Sequence, residues 1–254
     1  DVGVEAYSPW RNIYHCCTQK TASQWLRGIF SDPDFYRYTG LLMQPYVQLG
    51  LNTANLQTEW PAGTAVTHLY VNHDTFSSMP KSGDYRAFFM LRDPRDCVVS
   101  WYYSARYSHN SVQPITMLRE NLEARSETEG YVFMIDWLNE VGFFAAQSSW
   151  FKASEDQANV RLFRYEQLNQ TPRDFIDQLF NFLEIPMPES IREELCERRS
   201  WSKITGGRQK GEQDIRSHYR RAKIGDWKDA FSITTHSHFN QVTGNLVSEL
   251  GYED

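Results

Sequence analysis

Apolar residues in this chain gather in short runs separated by polar, glycine- and proline-bearing stretches, and the runs alternate between strand-like and helix-like spacing. Asn12-Ile13-Tyr14-His15-Cys16 reads as a short buried strand, and after a polar turn Ser23-Gln24-Trp25-Leu26-Arg27-Gly28-Ile29-Phe30 has helical periodicity. Residues 33 to 62 are rich in Pro, Gly and Asn and predict irregular structure. Ala65-Val66-Thr67-His68-Leu69-Tyr70 reads as a second strand and Tyr85 to Leu91 as a third. The third feeds a helix whose start is written in the sequence: Asp93 as N-cap, Pro94 at the first helical position, Asp96 three residues after the cap. A helical region from about Tyr131 to Lys152 precedes a fourth strand, Val160-Arg161-Leu162-Phe163. Leu168, Phe175, Ile176, Leu179, Phe180 and Leu183 then form one helical stripe. Strands alternating with helices predict an α/β fold, one domain over 1–254 with a central parallel sheet flanked by helices and ligand sites beyond the carboxyl ends of the strands.

Composition narrows the partners. The formal net charge of −6 argues against a nucleic-acid binder, yet Arg208 to Lys228 carries seven Lys/Arg against three acids. A local basic segment on an acidic protein suits a small anionic ligand better than a long polyanion. Cys16, Cys17, Cys97 and Cys196 have no metal-finger spacing and read as thiols in a reducing compartment. No run approaches the roughly 20 apolar residues of a membrane span and no signal peptide is visible, so a soluble, cytoplasmic protein is expected.

Candidate chemistry begins with Leu91-Arg92-Asp93-Pro94-Arg95-Asp96-Cys97-Val98-Val99-Ser100. A helix opening at a strand end presents unpaired amides and a positive dipole end, Arg92 adds a planar donor fork for phosphate, and Ser100 adds a hydroxyl about two turns on. Thr18-Gln19-Lys20-Thr21-Ala22-Ser23-Gln24-Trp25 places a lysine, hydroxyls and amides at another strand-to-helix turn, the layout of a phosphate cradle. A Walker A loop needs GxxxxGK[ST], and no glycine occurs between Gly3 and Gly28.

Together these motifs resemble those of sulfotransferases that use 3'-phosphoadenosine 5'-phosphosulfate (PAPS). Lys20, Thr21, Ala22, Ser23, Gln24 and Trp25 match the KSGTTW positions of the family's 5'-phosphosulfate loop. Arg92 and Ser100 match its 3'-phosphate pair, and Arg220-Arg221-Ala222-Lys223-Ile224-Gly225-Asp226-Trp227 matches its RKGxxGDW motif. Tyr165-Glu166-Gln167-Leu168 resembles YEDL, and Ser200-Trp201 a pair that borders the adenine. Thr67-His68-Leu69 resembles the context of the catalytic base, and His73 is a nearby competitor.

The resemblance implies a P-loop-kinase-like sulfotransferase fold and in-line transfer of a sulfuryl group to a hydroxyl, or an amine, of a small-molecule acceptor. His68 would be the base and Lys20 would stabilise the leaving phosphate. Arg92, Ser100, Arg220 and Arg221 would hold the 3'-phosphate of PAPS or of its product adenosine 3',5'-bisphosphate (PAP), Ala222 would belong to the nucleotide-binding residues beside them, and Trp25, Tyr165, Ser200 and Trp201 would border the base. No metal is required. Three departures stand out: Ala22 and Ala222 replace common glycines, Val66 replaces a lysine two residues before the histidine, and a dimerisation motif is only partly echoed by Lys228, Ser232, Ile233 and Ser237, which leaves the oligomeric state open. The acceptor pocket would be shaped by residues 33–62, 101–130 and 203–219, and Tyr102, Tyr103 and Tyr107 would either face a hydrophobic acceptor or, as the default for such residues, pack their helix. The rival readings are a small-molecule kinase using Mg-ATP and a noncatalytic nucleotide-binding domain.

Overall fold

The computed structural model describes residues 3–44, 56–155 and 157–253. Part of the expected acceptor region, residues 45–55, therefore lies outside the described residues. The chain forms two compact units, each assembled from two separated stretches: Asp1–Leu91 with Ser149–Gly206, and Arg92–Ser148 with Gly207–Asp254.

The first unit is built on a five-stranded parallel sheet of order β2-β3-β1-β4-β5. The strands are β1 Asn12–Cys17, β2 Leu42–Met43, β3 Thr64–Tyr70, β4 Tyr85–Leu91 and β5 Val160–Arg164. Every residue of β1 and β3 is buried, as expected of inner parallel strands covered on both faces. The helix Ser23–Phe30 buries Trp25, Leu26, Ile29 and Phe30, residues spaced to share one face. The four longer strands lie where the hydrophobic pattern places them. β2 was not foreseen, because two residues are too few to show a period; it pairs with β3 at the sheet edge. The chain leaving β1 turns to the β3 side and the chain leaving β4 to the β5 side, so the switch point lies at the carboxyl ends of β1 and β4.

The helical stripe from Leu168 to Leu183 is two helices, Tyr165–Gln170 and Pro172–Phe182. Pro172 has no amide hydrogen to continue the first helix and opens the second instead.

The second unit is helical. Its first helix, Pro94–Tyr103, runs on into a π-helical turn, Ser104–Ser108. The expected helical region from Tyr131 to Lys152 is also two helices, Glu127–Glu140 and Phe143–Ala153, parted at Gly142, whose φ of 83° suits a residue without Cβ. Ser126 and Glu129 form a capping box at the start of the first of these. Tyr102 is buried with its ring 4.3 Å from that of Tyr131, the packing role foreseen for it. Among the described residues no cysteine forms a disulfide, and no helix is long and apolar enough to cross a membrane.

Candidate active site

The loop leaving β1 is shaped by its own backbone. Thr21 is buried and donates its hydroxyl to the Thr18 carbonyl at 2.8 Å, while Lys20 and Ala22 both adopt left-handed backbone with φ of 70° and 66°. Ser23, the first residue of the helix, shares a 3.1 Å hydrogen bond with the hydroxyl of Tyr70 at the end of β3, and Gln24 is exposed. Ala222, in the second unit, is likewise left-handed at φ 51°. Both alanines thus keep the backbone that the replaced glycines would adopt freely. Left-handed geometry costs an L-residue about 1–2 kcal/mol, and glycine gives back about 0.4–1 kcal/mol through the unfolded chain. Ala22→Gly and Ala222→Gly should therefore each raise the thermal midpoint by about 1–3 °C. A lower midpoint for either would refute that account of the loops.

His68 lies inside β3, within the strand that the sequence pattern predicts over Ala65–Tyr70. The pairing of β1 with β3 runs His15 to Thr67 and then Cys16 to Leu69, so His68 is the extra residue of a bulge, a device that re-aims a side chain. It is fully buried, with its ring 4.6 Å from that of Tyr70 and 6.3 Å from that of His15. Neither ring nitrogen has a hydrogen-bond partner among the described residues. Burial, seconded by the positive charge of Arg27, pushes its pKa down from the ordinary imidazole value to about 4. The imidazole is thus neutral at pH 7 and able to accept a proton. The competitor, His73, is engaged elsewhere: Gln157 Nε2 lies 3.1 Å from its Nε2, and its ring meets Trp150 edge-on at 5.1 Å.

The adenine candidates of this unit sit on β5 and the helices after it. Tyr165 directly follows β5, is 9% exposed, and accepts a hydrogen bond from Asn169 Nδ2 at 3.3 Å. Trp25 is 8% exposed within the apolar core, and its indole N–H donates to the Arg199 carbonyl at 2.8 Å. It thereby holds the backbone just before Ser200, which opens the short helix Trp201–Ile204; Trp201 is half-buried.

In the second unit the two remaining motifs are joined. Asp93 caps its helix as foreseen, accepting from the Arg95 amide at 2.9 Å. Asp96 does not cap. Its carboxylate, 1% exposed, accepts from the amides of Gly225 at 2.8 Å and Trp227 at 3.0 Å, fastening the 220–227 motif to the Pro94 helix. Arg95, also buried, donates to Asp93 and to the Glu253 carbonyl and lies 3.8 Å over the Trp227 ring. Arg220 and Arg221 converge on one buried carboxylate, Asp226. Arg220 also lies 4.2 Å over the Tyr103 ring. Two guanidinium groups on one carboxylate keep a net positive charge while their planes are fixed, which suits an incoming phosphate. Arg208 donates to the carbonyls of Arg220 at 3.1 Å and Tyr219 at 2.7 Å, organising the basic segment from within. Arg92, just before the N-cap, is 8% exposed with its carbonyl bonded by Gln147 Nε2 at 2.9 Å, and Ser100 is half-buried on the helix that follows.

Asp96, Asp226, Arg95 and Tyr103 were not singled out as site residues. The available signal was an acid inside each arginine-bearing motif, since a carboxylate beside an anion site must be occupied by donors of its own. In Asp96→Asn the new NH2 group faces an amide N–H, and leaving buried donors unpaired costs about 1–3 kcal/mol. The expected result is a midpoint about 5–10 °C lower by calorimetry, with weakened PAP binding. An unchanged midpoint would show that Asp96 is not the fastening.

A family model described as the sulfotransferase domain matches residues 12–251. The chain belongs to that family. Among curated relatives, this sulfotransferase domain is 24% identical over 165 residues to human sulfotransferase 1C2, covering 61% of this chain and 52% of the relative. It is 26% identical over 203 residues to cytosolic sulfotransferase 8 of Arabidopsis thaliana, covering 72% and 57%. The chain spans about half the length of the curated relatives it matches. Its fold is that of a mouse sulfotransferase complexed with PAP, with a TM-score of 0.65 at 17% identity over 98% of this chain and 87% of that one. A retinol dehydratase in complex with retinol and PAP shares the fold, with a TM-score of 0.57 at 16% identity over 96% and 83%.

Proposed function

We propose that this protein, acting as one sulfotransferase domain, transfers a sulfuryl group from PAPS to a hydroxyl, or an amine, of a small-molecule acceptor in the cytoplasm. The observation that carries this reading is the join between base and donor loop. Ser23 of the β1 loop bonds Tyr70, and the Tyr70 ring packs on His68, so a neutral imidazole and the Lys20 loop share one end of the sheet. Each residue then has a role set by its chemistry. His68 takes the acceptor's proton, because its imidazole is neutral at pH 7 and neither ring nitrogen has a hydrogen-bond partner among the described residues. Lys20 offers its ammonium to the charge that develops on the leaving phosphate, supported by the hydroxyls and amides of Thr21, Ala22, Ser23 and Gln24. Transfer of SO3 needs little covalent assistance, so positioning and charge stabilisation carry the rate, as in phosphoryl transfer.

Arg92, Ser100, Arg220 and Arg221 hold the 3'-phosphate, with Ala222 in the same nucleotide-binding motif, and Trp25, Tyr165, Ser200 and Trp201 border the adenine. The relatives' sulfotransferase names and the PAP-bound structures that share this fold support the assignment of the donor. The name of the cytosolic Arabidopsis relative supports the location.

The reading is tested by thermal unfolding with PAP or Mg-ATP and by an acceptor screen with labelled sulfate donor. Stabilisation by PAP and label transfer to a phenol or alcohol are expected. Stabilisation by Mg-ATP alone would favour a kinase, and PAP binding without transfer to any acceptor class a noncatalytic domain.

A further inference from the structure

Three elements converge on the residue before His68. The Thr67 carbonyl accepts hydrogen bonds from Arg27 Nη1 at 2.9 Å and Gln44 Nε2 at 3.0 Å. Arg27 comes from the helix that follows the β1 loop, and Gln44 directly follows β2. The Thr67 hydroxyl meets His15 Nδ1 of β1 at 2.8 Å. Gln44 is 3% exposed and Thr67 fully buried, so the accepting carbonyl is desolvated, and the half-buried Arg27 brings a charged donor to it, where a hydrogen bond is strongest. They surround the position at which β1 and β3 slip register, where the ladder by itself specifies the backbone least.

We propose that Arg27 and Gln44 are positioning residues for the base: their paired hydrogen bonds to the Thr67 carbonyl fix the peptide that carries His68, and the guanidinium sets a permanent positive charge beside the imidazole. The proposal rests on the reading of His68 as base. The titratable groups beside His68 are His15 from β1, Tyr70 from β3 with Cys17 of β1 next to it, and Arg27 from the helix. Burial holds the imidazole of His15 neutral and raises the pKa of both the Cys17 thiol and the Tyr70 phenol. Arg27 is then the one of these groups that is charged at neutral pH. A guanidinium is suited to the place because it keeps its charge at every working pH and still offers a directed N–H.

Two variants separate the hydrogen bond from the charge. Arg27→Met loses both, and Gln44→Leu loses only a hydrogen bond. In Arg27→Met, kcat should fall about 10- to 100-fold while PAP affinity stays within about twofold, as expected when a base is displaced without loss of donor contacts. The acid limb of the rate profile, and the His68 imidazole titration followed by NMR, should rise by about one pH unit. Gln44→Leu should lower kcat with the limb unmoved, and Arg27→Lys should keep the limb near wild type. Arg27→Met with both kcat and titration unchanged overturns the proposal, as does a loss of PAP affinity that matches the loss of kcat. If Arg27→Met does not fold, the unmoved limb of Arg27→Lys and the lowered kcat of Gln44→Leu decide it. Because the NMR titration needs no turnover, it tests the coupling even if an active His68→Ala variant has removed the base assignment.

Discussion

His68→Ala should lose about two to four orders of magnitude in turnover, the usual worth of a general base, while PAP still binds. The large effect follows from the surroundings. Neither ring nitrogen is bonded to another described residue, and the imidazole is fully buried at the bulge in β3, so no described neighbour already holds the proton site. Donor binding should survive because the residues assigned to it reach the nucleotide by other atoms. Calorimetric titration of the variant with PAP, beside single-turnover transfer, separates the two effects. The pH profile is the companion result. A base must be neutral to accept a proton, so rate is lost as pH falls through its pKa. With that pKa held down to about 4, kcat/KM should stay level from pH 8 to about pH 5 and fall only below that. A limb near pH 6.5, or a His68→Ala variant with near wild-type rate, would remove His68 from the role.

Arg92→Ala should weaken PAP by about 10- to 100-fold, because a charged hydrogen-bonding contact is worth about 1.5–3 kcal/mol and each 1.4 kcal/mol is tenfold. A nucleotide without the 3'-phosphate should lose less than about threefold, since it never made the contact. Two fastenings of its neighbourhood do not use the side chain. The bond from Gln147 goes to the Arg92 carbonyl, and Asp96 is held by two backbone amides. Parallel calorimetric titrations of the two nucleotides give the ratio. Equal losses for both would place Arg92 outside the 3'-phosphate contact and leave it a structural partner of Asp96, to whose charge it is already coupled.

Much of the secondary structure is legible in the chain because its determinants are local. β4 is a buried run bounded by turn residues, and the Asp93-Pro94 helix start is set by a side chain and a ring that act on their own backbone. Where the pattern erred, a local element was too weak to register: the two residues of β2, the single break at Gly142, the Thr171-Pro172 junction inside an otherwise continuous apolar stripe. The motif residues could be read as anion ligands because Arg, Lys and Ser have chemistry that does not depend on the fold.

Partnership between distant residues is a different matter. Asp96 lies 129 residues from Gly225, and Trp25 is 174 from Arg199. In the sequence each is just an acid in a first helical turn or an aromatic on an apolar face. The sequence by itself determined the parallel α/β architecture, the Lys20 loop and the arginine motifs, since periodicity and side-chain chemistry are properties of short stretches. Tertiary structure alone decided that Asp96 fastens the 220–227 motif, that Asp226 orients Arg220 and Arg221, and that a register slip buries His68 and lowers its pKa. Those outcomes depend on which polar groups are desolvated together, and burial is set by the whole packed unit rather than by any one segment of it.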